Sequence, residues 1–428
     1  MAYSIWVYDG SKVRYRSLAQ EAQTKSSLDL TTYLPPTSQH SPQHLANVMT
    51  AKQEIDMPQA SVRIIGAGLS GLVLGQCLRR RNIPAVIYEK SKENPTRNNY
   101  GITIHPKAYK ALQHSMELDE SSFFSQVGVH NSSASAGEAA VRVNKAAMMR
   151  VLQDKLDIHW ETKIEPMTTA KGARRLTADQ GYSEIGSGIV VGADGVHSPV
   201  RKTLGLTSEF DMRVLPYIVF NGKRRLAPAD LKHGLEQCFD HADGIAHCQG
   251  DTVLSIKADF WDAGKDMAGI SYTLSRPATD KDRPLLERNV SDAETLASHF
   301  VDEVHALGEL PQPFSQAFDP DAMGKDRLLH WLMRSSLLDG AAIEHFAKWR
   351  GVISMGDAVH AQPIVGGSGA TTAILDAFEL AKHIHSANEV DAAAYVVARA
   401  EAWQDDRQRA EQAIHELHVS GTGAKTML

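Results

Sequence analysis

Three short segments of this 428-residue chain place glycines and acids where dinucleotide chemistry is done. The first is Gly66-Ala67-Gly68-Leu69-Ser70-Gly71. Val62, Ile64 and Ile65 before it read as a buried strand, and Leu69 to Arg81 reads as a helix. In such a strand–turn–helix, Gly66 permits the tight turn and Gly68 lets the backbone approach a pyrophosphate. Gly71 lets the helix pack closely on the sheet. The helix N-terminus then presents N–H groups and the positive end of its dipole to the phosphates. A second strand, Ala85 to Glu89, completes a βαβ unit. Glu89, with Lys90 beside it, is placed to accept hydrogen bonds from ribose hydroxyls, and its charge disfavours a 2′-phosphate. The turn alone does not separate FAD from NAD.

The second segment, Gly351 to His360, sets Asp357 just after an apolar strand, and Gly366-Gly367-Ser368-Gly369-Ala370 then opens a helix. An NAD-only enzyme has no need of this distant second site. The ribityl chain of FAD needs an acceptor there, and Asp357 supplies one. The helix start at Gly369 to Thr372 can direct N–H groups at the N1/O2 edge of a flavin and stabilise its anionic reduced form. Alone, a Gly-Asp after a strand is also an ordinary turn. The third segment, Gly192 to Arg201, has Asp194 and Ser198 where a strand ends and a helix starts; capping by the acid is its structural alternative.

In this order the three segments resemble the group A flavoprotein monooxygenases, the para-hydroxybenzoate hydroxylase-like family. The resemblance spans about residues 61–385. It implies that Gly66 to Gly71 is the Rossmann fingerprint and that Asp194-Gly195, with Ser198 and Arg201, is tied to FAD and NAD(P)H. It also implies that Asp357 binds the FAD ribityl. Tyr100-Gly101-Ile102, with Pro106 and Leu112, resembles the stretch beside the isoalloxazine. Val143 to Met148 resembles an Arg-x-x-Leu element that contacts the flavin nucleotide, with Lys145 and Met148 in its two places. Lysine keeps the charge but loses the planar fork. Thr371 stands where the family usually has asparagine, and Pro363-Ile364 where it tends to have two prolines. The implied reaction uses NAD(P)H as co-substrate to reduce FAD. A flavin C4a-hydroperoxide then passes one atom of O2 to an aromatic or otherwise electron-rich small molecule. A non-oxygenating flavin oxidase or dehydrogenase, or a non-redox FAD-retaining cyclase or binding protein, are the alternatives.

The elements that must position these residues give an α/β chain: a three-layer Rossmann-like FAD-binding domain, a β-sheet substrate domain and C-terminal helices. We expect an N-terminal extension over 1–58 and the FAD-binding domain over 59–210 and 336–386. A mainly β substrate domain covers 211–335, and a C-terminal helix lies in 387–428. In the extension, Asp9-Gly10 between apolar stretches signals a hairpin, followed by a polar tract from Lys25 to Gln43. Strands are expected at Val214–Asn221, Val253–Phe260, Ile270–Leu274 and Val352–Met355, and helices around Leu231–Phe239, Ala293–Leu307, 369–386 and 391–418.

Composition agrees with a globular protein: 43% hydrophobic and 22% charged, with a net charge of -6 that argues against nucleic acid. No long apolar run suggests a membrane span, and no signal-peptide layout is evident. The three cysteines form no CxxC pair, so we expect neither disulfides nor a zinc site, and a reducing, cytoplasmic setting. Nineteen histidines include no HExxH motif, so no metal is expected. No catalytic residue stands out. Tyr217, His241, His247 and Tyr272 are polar aromatics of the middle segment that could meet substrate. Phe220, Phe260 and Trp261 could wall it, with core packing as the default.

Overall fold

The computed structural model describes residues 4–9, 12–17, 61–93, 98–129, 139–168, 174–178, 181–184, 188–203, 210–231, 234–240, 244–287, 293–365 and 368–419. The chain divides into two units, Met1–Lys52 and Gln53–Leu428. In the first, β1 (Ser4–Asp9) pairs antiparallel with β2 (Lys12–Ser17), Asp9 opposite Lys12, as the Asp-Gly signal leads one to expect. The polar tract Lys25 to Gln43 lies outside the described residues.

The second unit begins with β3 (Val62–Ile65), α1 (Leu69–Arg80) and β4 (Ala85–Tyr88). Next come β5 (Gly101–Ile104), α2 (Pro106–Met116), α3 (Glu120–Val127), β6 (Val141–Asn144), α4 (Lys145–Leu152) and β7 (Asp157–His159). A meander follows, β8 (Ile164–Thr168), β9 (Arg174–Ala178) and β10 (Gly181–Glu184), then β11 (Val190–Gly192) and α5 (Pro199–Thr203). The middle segment holds β12 (Phe210–Val214), β13 (Tyr217–Leu226), β14 (Ile245–Gln249), β15 (Thr252–Asp262), β16 (Met267–Pro277), α6 (Ala293–Ala306), β17 (Arg327–His330) and β18 (Arg334–Leu338). The chain returns through α7 (Gly340–Arg350), β19 (Val352–Ser354), α8 (Gly369–His383) and α9 (Ala392–Val419).

The first sheet is wholly parallel, in the order β19-β11-β3-β4-β7. Its central strands are short apolar runs because both faces are covered. On one face, Val62, Ile64 and Ile353 meet Leu72 of α1, Ile374 and Leu380 of α8, and Tyr395 and Trp403 of α9. On the other, Ile65, Val86, Tyr88, Val190 and Val352 meet Val200 of α5, beside which β8 lies. This is a three-layer α/β arrangement.

The second sheet is antiparallel, in the order β14-β15-β16-β13-β17. Alternation divides its side chains. Ile218, Phe220, Leu254, Ile256, Ile270, Tyr272 and Leu274 form one core with Phe300 and Val304 of α6. The opposite face carries Asn221, Lys223, Ser255, Ser271 and Ser275. Asp259 sits at a β-bulge between Ala258 and Phe260, where the register with β16 shifts.

Two expectations are corrected. Val214–Asn221 is two strands, β12 and β13, because Pro216 between them has no N–H for a ladder. β12 pairs with β18, outside the five-stranded sheet. Among the described residues, Leu231–Phe239 holds a 3₁₀ segment rather than an α-helix, Leu235–Phe239, entered through Gly234 at φ 91°.

Candidate functional site

The glycine-rich turn lies at the carboxyl end of β3 and is shaped by backbone crowding. Gly66 has φ 108°, and a Cβ there would stand 2.4 Å from the Ala193 carbonyl oxygen. At Gly71 a Cβ would stand 2.0 Å from the Gly66 oxygen. A Cβ at Gly68, by contrast, would meet no atom within 4 Å. The surface over Gly68 is therefore open, while the turn beneath it is packed against β11. Gly68 is also the N-cap of α1; no side chain caps it and no acid occupies the first turn. Ala67, Leu69 and Ser70 are buried at that helix start. Glu89 accepts from the Ala67 N–H at 3.0 Å and the Ser91 N–H at 2.8 Å, so its carboxylate adjoins the turn; Lys90 is exposed.

Adjacent strands deliver the other two segments to the same edge. Asp194 accepts from the Val200 N–H at 3.0 Å, the capping role its position allows. Its second oxygen, Oδ1, is buried with no hydrogen-bond partner. Burial raises its pKa, outweighing the hydrogen bonds from Ser198 and Val200 and the charge of Arg201. Arg201 donates to the carbonyls of Val196 and Ala358, both at 2.6 Å, stitching this segment to the 3₁₀ turn Gly356–Ala358 after β19.

Asp357 in that turn is exposed to solvent, with protein on several sides of its carboxylate. Burial raises its pKa against the lowering fields of His360 and Lys145, with Asp376 adding to the rise. A Cβ built on Gly369 would stand 3.9 Å from Asp357 Oδ1, so the start of α8 adjoins this acid. Ala370 is half-buried there, and Gly367 lies outside the described residues. α8 also begins with no side-chain cap and no acid in its first turn.

Lys145 lies within electrostatic reach of Asp357. Its Nζ donates to Tyr100 Oη at 2.9 Å and its N–H to the Tyr100 carbonyl at 2.9 Å. Gly101 next to Tyr100 donates its N–H to Asp259 at 2.9 Å, and a Cβ there would stand 2.4 Å from the Ala258 oxygen. Only glycine lets this loop approach β15 so closely. Arg142 and Asn144 reinforce the seam by donating to the carbonyls of Ala258 and Asp259, each at 2.9 Å. Thr371 is buried and its hydroxyl accepts from the His105 N–H at 3.1 Å. It is a structural contact between α8 and the start of α2.

A buried group the sequence reading missed holds the Asp357 turn in place. Asp376 of α8 is fully buried and surrounded by four donors. The Gly356 N–H at 3.0 Å and His360 Nε2 at 2.5 Å reach Oδ2, and Arg399 Nε and Trp403 Nε1, both at 2.8 Å, reach Oδ1. Burial works against its ionised form, yet the charges of His360 and Arg399 with the hydrogen bonds leave its pKa lowered. Gly356 sits at φ 60° above it. An aspartate amid Leu375-Asp376-Ala377 on an apolar helix face was the available signal.

The middle-segment candidates are placed mostly in cores. Tyr272 is fully buried and donates to Asp326 at 2.7 Å, with Arg224 paired to the same acid. Burial and the Asp326 charge keep its hydroxyl protonated. Tyr217 is buried, 3.4 Å from His415 Nδ1. Phe220 stacks on Phe300, His247 lies against Phe314, Trp261 packs edge-on to Phe239, and Phe260 covers Gly269. His241 lies outside the described residues. Burial pushes the Cys77 thiol up to about 12, which leaves it protonated near neutral pH. Among the described residues no cluster of His, Cys, Asp and Glu fits a metal ion, and no helix is long and apolar enough to cross a membrane.

Comparison with known proteins points to one kind of enzyme. No family model matches the chain. The chain is 25% identical over 395 residues to the FAD-dependent monooxygenase vrtH of Penicillium aethiopicum, covering 83% of this chain and 92% of that protein. Its fold matches PqsL of P. aeruginosa in complex with 2-aminobenzoylacetate, with a TM-score of 0.61 at 19% identity over 85% of this chain and 97% of that one. It also matches Klebsiella pneumoniae HpxO complexed with FAD and uric acid, with a TM-score of 0.59 at 18% identity over 84% and 89%. The chain thus has the α/β fold of FAD-binding monooxygenases.

Proposed function

We propose that this protein is an FAD-dependent monooxygenase that uses NAD(P)H and O2 to oxygenate an aromatic or electron-rich small molecule. The observation that carries the reading is the convergence of three loops. The turns after β3, β11 and β19 meet at one edge of the parallel sheet, the edge where open α/β sheets bind ligands. Two features of that edge fit FAD: the open face over Gly68, and the unpartnered buried Oδ1 of Asp194.

In this reading Gly66, Ala67, Gly68, Leu69, Ser70 and Gly71 hold the pyrophosphate at the N-terminus of α1, and Glu89 and Lys90 attend the adenosine end. Asp194 and Asp357 bind the polyol and phosphate stretch. Gly101, Lys145, Gly367, Gly369 and Ala370 surround the ring end. Segments 59–210 and 336–386 form the cofactor half and 211–335 the substrate half. FAD bound there would supply hydride acceptance from NAD(P)H and activation of O2 for transfer of one oxygen atom to substrate, the other being released as water. The protein's own groups orient the cofactor, exclude water and set the local field.

The test is the purified protein itself. A flavin absorption spectrum, NAD(P)H oxidation stimulated by an aromatic substrate, and one labelled atom from O2 in the product are expected. Turnover with no label in the product would make it an oxidase or dehydrogenase instead.

A further inference from the structure

The start of α8 is held by a chain of side chains that begins on α9. Asp406 of α9 has both carboxylate oxygens engaged: Arg409 reaches Oδ1 at 2.5 Å, and the Thr372 hydroxyl donates to Oδ2 at 2.7 Å. A carboxylate only accepts, so the one hydroxyl proton of Thr372 is committed to Asp406. The Thr372 oxygen then has only lone pairs to offer, and Gln362 Nε2 donates to it at 3.2 Å. That fixes the Gln362 amide. Its Oε1 faces the other way and accepts from the Ser368 N–H at 2.8 Å. A flipped amide would set NH2 against N–H at one end and oxygen against lone pairs at the other. Ser368 is the N-cap of α8, so the chain ends on the first backbone donor of that helix.

The chain is more than a way to satisfy Thr372. That residue is fully buried, and the Ser368 carbonyl one turn back lies 3.4 Å from its hydroxyl, the bond a helical threonine ordinarily makes. The shorter bond goes instead to an acid on another helix. Gln362 in turn ties together the two ends of the segment that leads from the Asp357 turn into α8. With the Ser368 N–H taken, the N–H groups of Gly369, Ala370 and Thr371 are the helix donors left for a ligand, and no side chain caps that start. Gly369 adjoins Asp357.

We propose that Thr372 is a positioning residue for the flavin: through Gln362 it passes the hold of Asp406 to Ser368, and so fixes the start of α8 against the flavin's N1/O2 edge. This rests on the flavoprotein reading above and adds that α9, as well as the glycine-rich segment, sets where the helix start stands. Reduced flavin carries the negative charge that a helix start stabilises. A loosened start therefore costs the reduced form more than the oxidised one.

The test compares Thr372→Val with Thr372→Ser in the FAD-loaded full chain, reading the flavin midpoint potential together with FAD affinity. Valine keeps the shape of threonine and loses the hydroxyl, whereas serine keeps the hydroxyl. Thr372→Val weakens the hold on reduced FAD by about tenfold more than on oxidised FAD, the worth of one hydrogen bond, which reads as a more negative potential. Thr372→Ser keeps the wild-type potential. Gln362→Met, at a half-buried position, shifts the potential in the same direction and carries the test if the valine protein does not fold. The inference is overturned if Thr372→Val or Gln362→Met keeps the wild-type potential. It is also overturned if Thr372→Ser shifts the potential as far as valine does, which would make packing of the methyl group the cause. A protein that takes up no FAD sinks the flavoprotein reading and this inference with it, whereas FAD-loaded variants with an unmoved potential sink this inference alone.

Discussion

The two sheets hold their chemistry in opposite ways. The parallel sheet carries its candidate site on loops at one edge, where glycines crowd backbone against backbone and the acids sit at helix starts. The antiparallel sheet carries polar groups on one face of regular strands, at positions set only by alternation and by the bulge at Asp259. A loop-edge site is specified by backbone shape, so it demands particular residue types at fixed spacing. A strand-face site is specified by what lies across from it, so almost any polar residue of the right parity can serve.

That difference can be broken or sharpened by substitution. The largest effect belongs to Gly71→Ala, whose added Cβ would overlap the Gly66 carbonyl. It should destabilise the fold by more than about 4 kcal/mol, read as lost soluble protein or a much lower unfolding midpoint. Retention of a wild-type midpoint would mean that the turn is less tightly packed than described.

Next comes Asp376→Ala, which strands Arg399 in the core and should cost about 3–5 kcal/mol by denaturant titration. Because the folded protein holds the Asp376 pKa below its unfolded value, this acid stabilises above about pH 4 and that contribution is lost as pH falls through the folded value. Asp376→Asn should therefore be less stable at neutral pH and show a flatter acid dependence; an unchanged acid limb would remove Asp376 from the account.

On the second sheet, Tyr272→Phe leaves Asp326 with one donor fewer and should cost about 1–3 kcal/mol while leaving FAD binding and ligand titrations alone. An altered ligand affinity would move Tyr272 from core to site. The smallest effect on stability is expected from Asp357→Asn. Its raised pKa means the charged form is disfavoured by folding above the folded value. The FAD-free variant should unfold at the same or a slightly higher temperature at neutral pH, yet hold FAD less well.

Legibility in the sequence follows the same division. The βαβ unit, β11, β19 and α8 were readable because each is a periodic or apolar run bounded by glycine, and α9 because its Ala, Glu, Gln and Arg favour helix. Asp194 and Asp357 stood out because an acid directly after an apolar strand is conspicuous. Lys223, Asn221 and Asp259 were not readable: in β13 the run Asn221-Gly222-Lys223-Arg224-Arg225 looks like a solvated strand end. Lys223 is covered by the Tyr100 ring, far away in sequence. Asp376 was hidden in the same way, since its partners arrive from two other segments, His360 from the turn after β19 and Arg399 and Trp403 from α9. Tyr272 drew attention for its chemistry, but Gly222 beneath its ring makes room for it in the core.

The central claim is that the loop edge of the parallel sheet holds FAD, and Gly68 tests it most directly. A Cβ there meets no protein atom within 4 Å, so Gly68→Val should leave the FAD-free protein folded, its unfolding midpoint lowered only by the loss of a favourable N-cap residue, about 1 kcal/mol. Titration of that protein with FAD, followed by flavin fluorescence, should show affinity lowered by about a hundredfold or more, because the Cβ and its methyls occupy the pyrophosphate's approach. Wild-type FAD affinity in Gly68→Val, or no FAD binding by the wild type, would contradict the account.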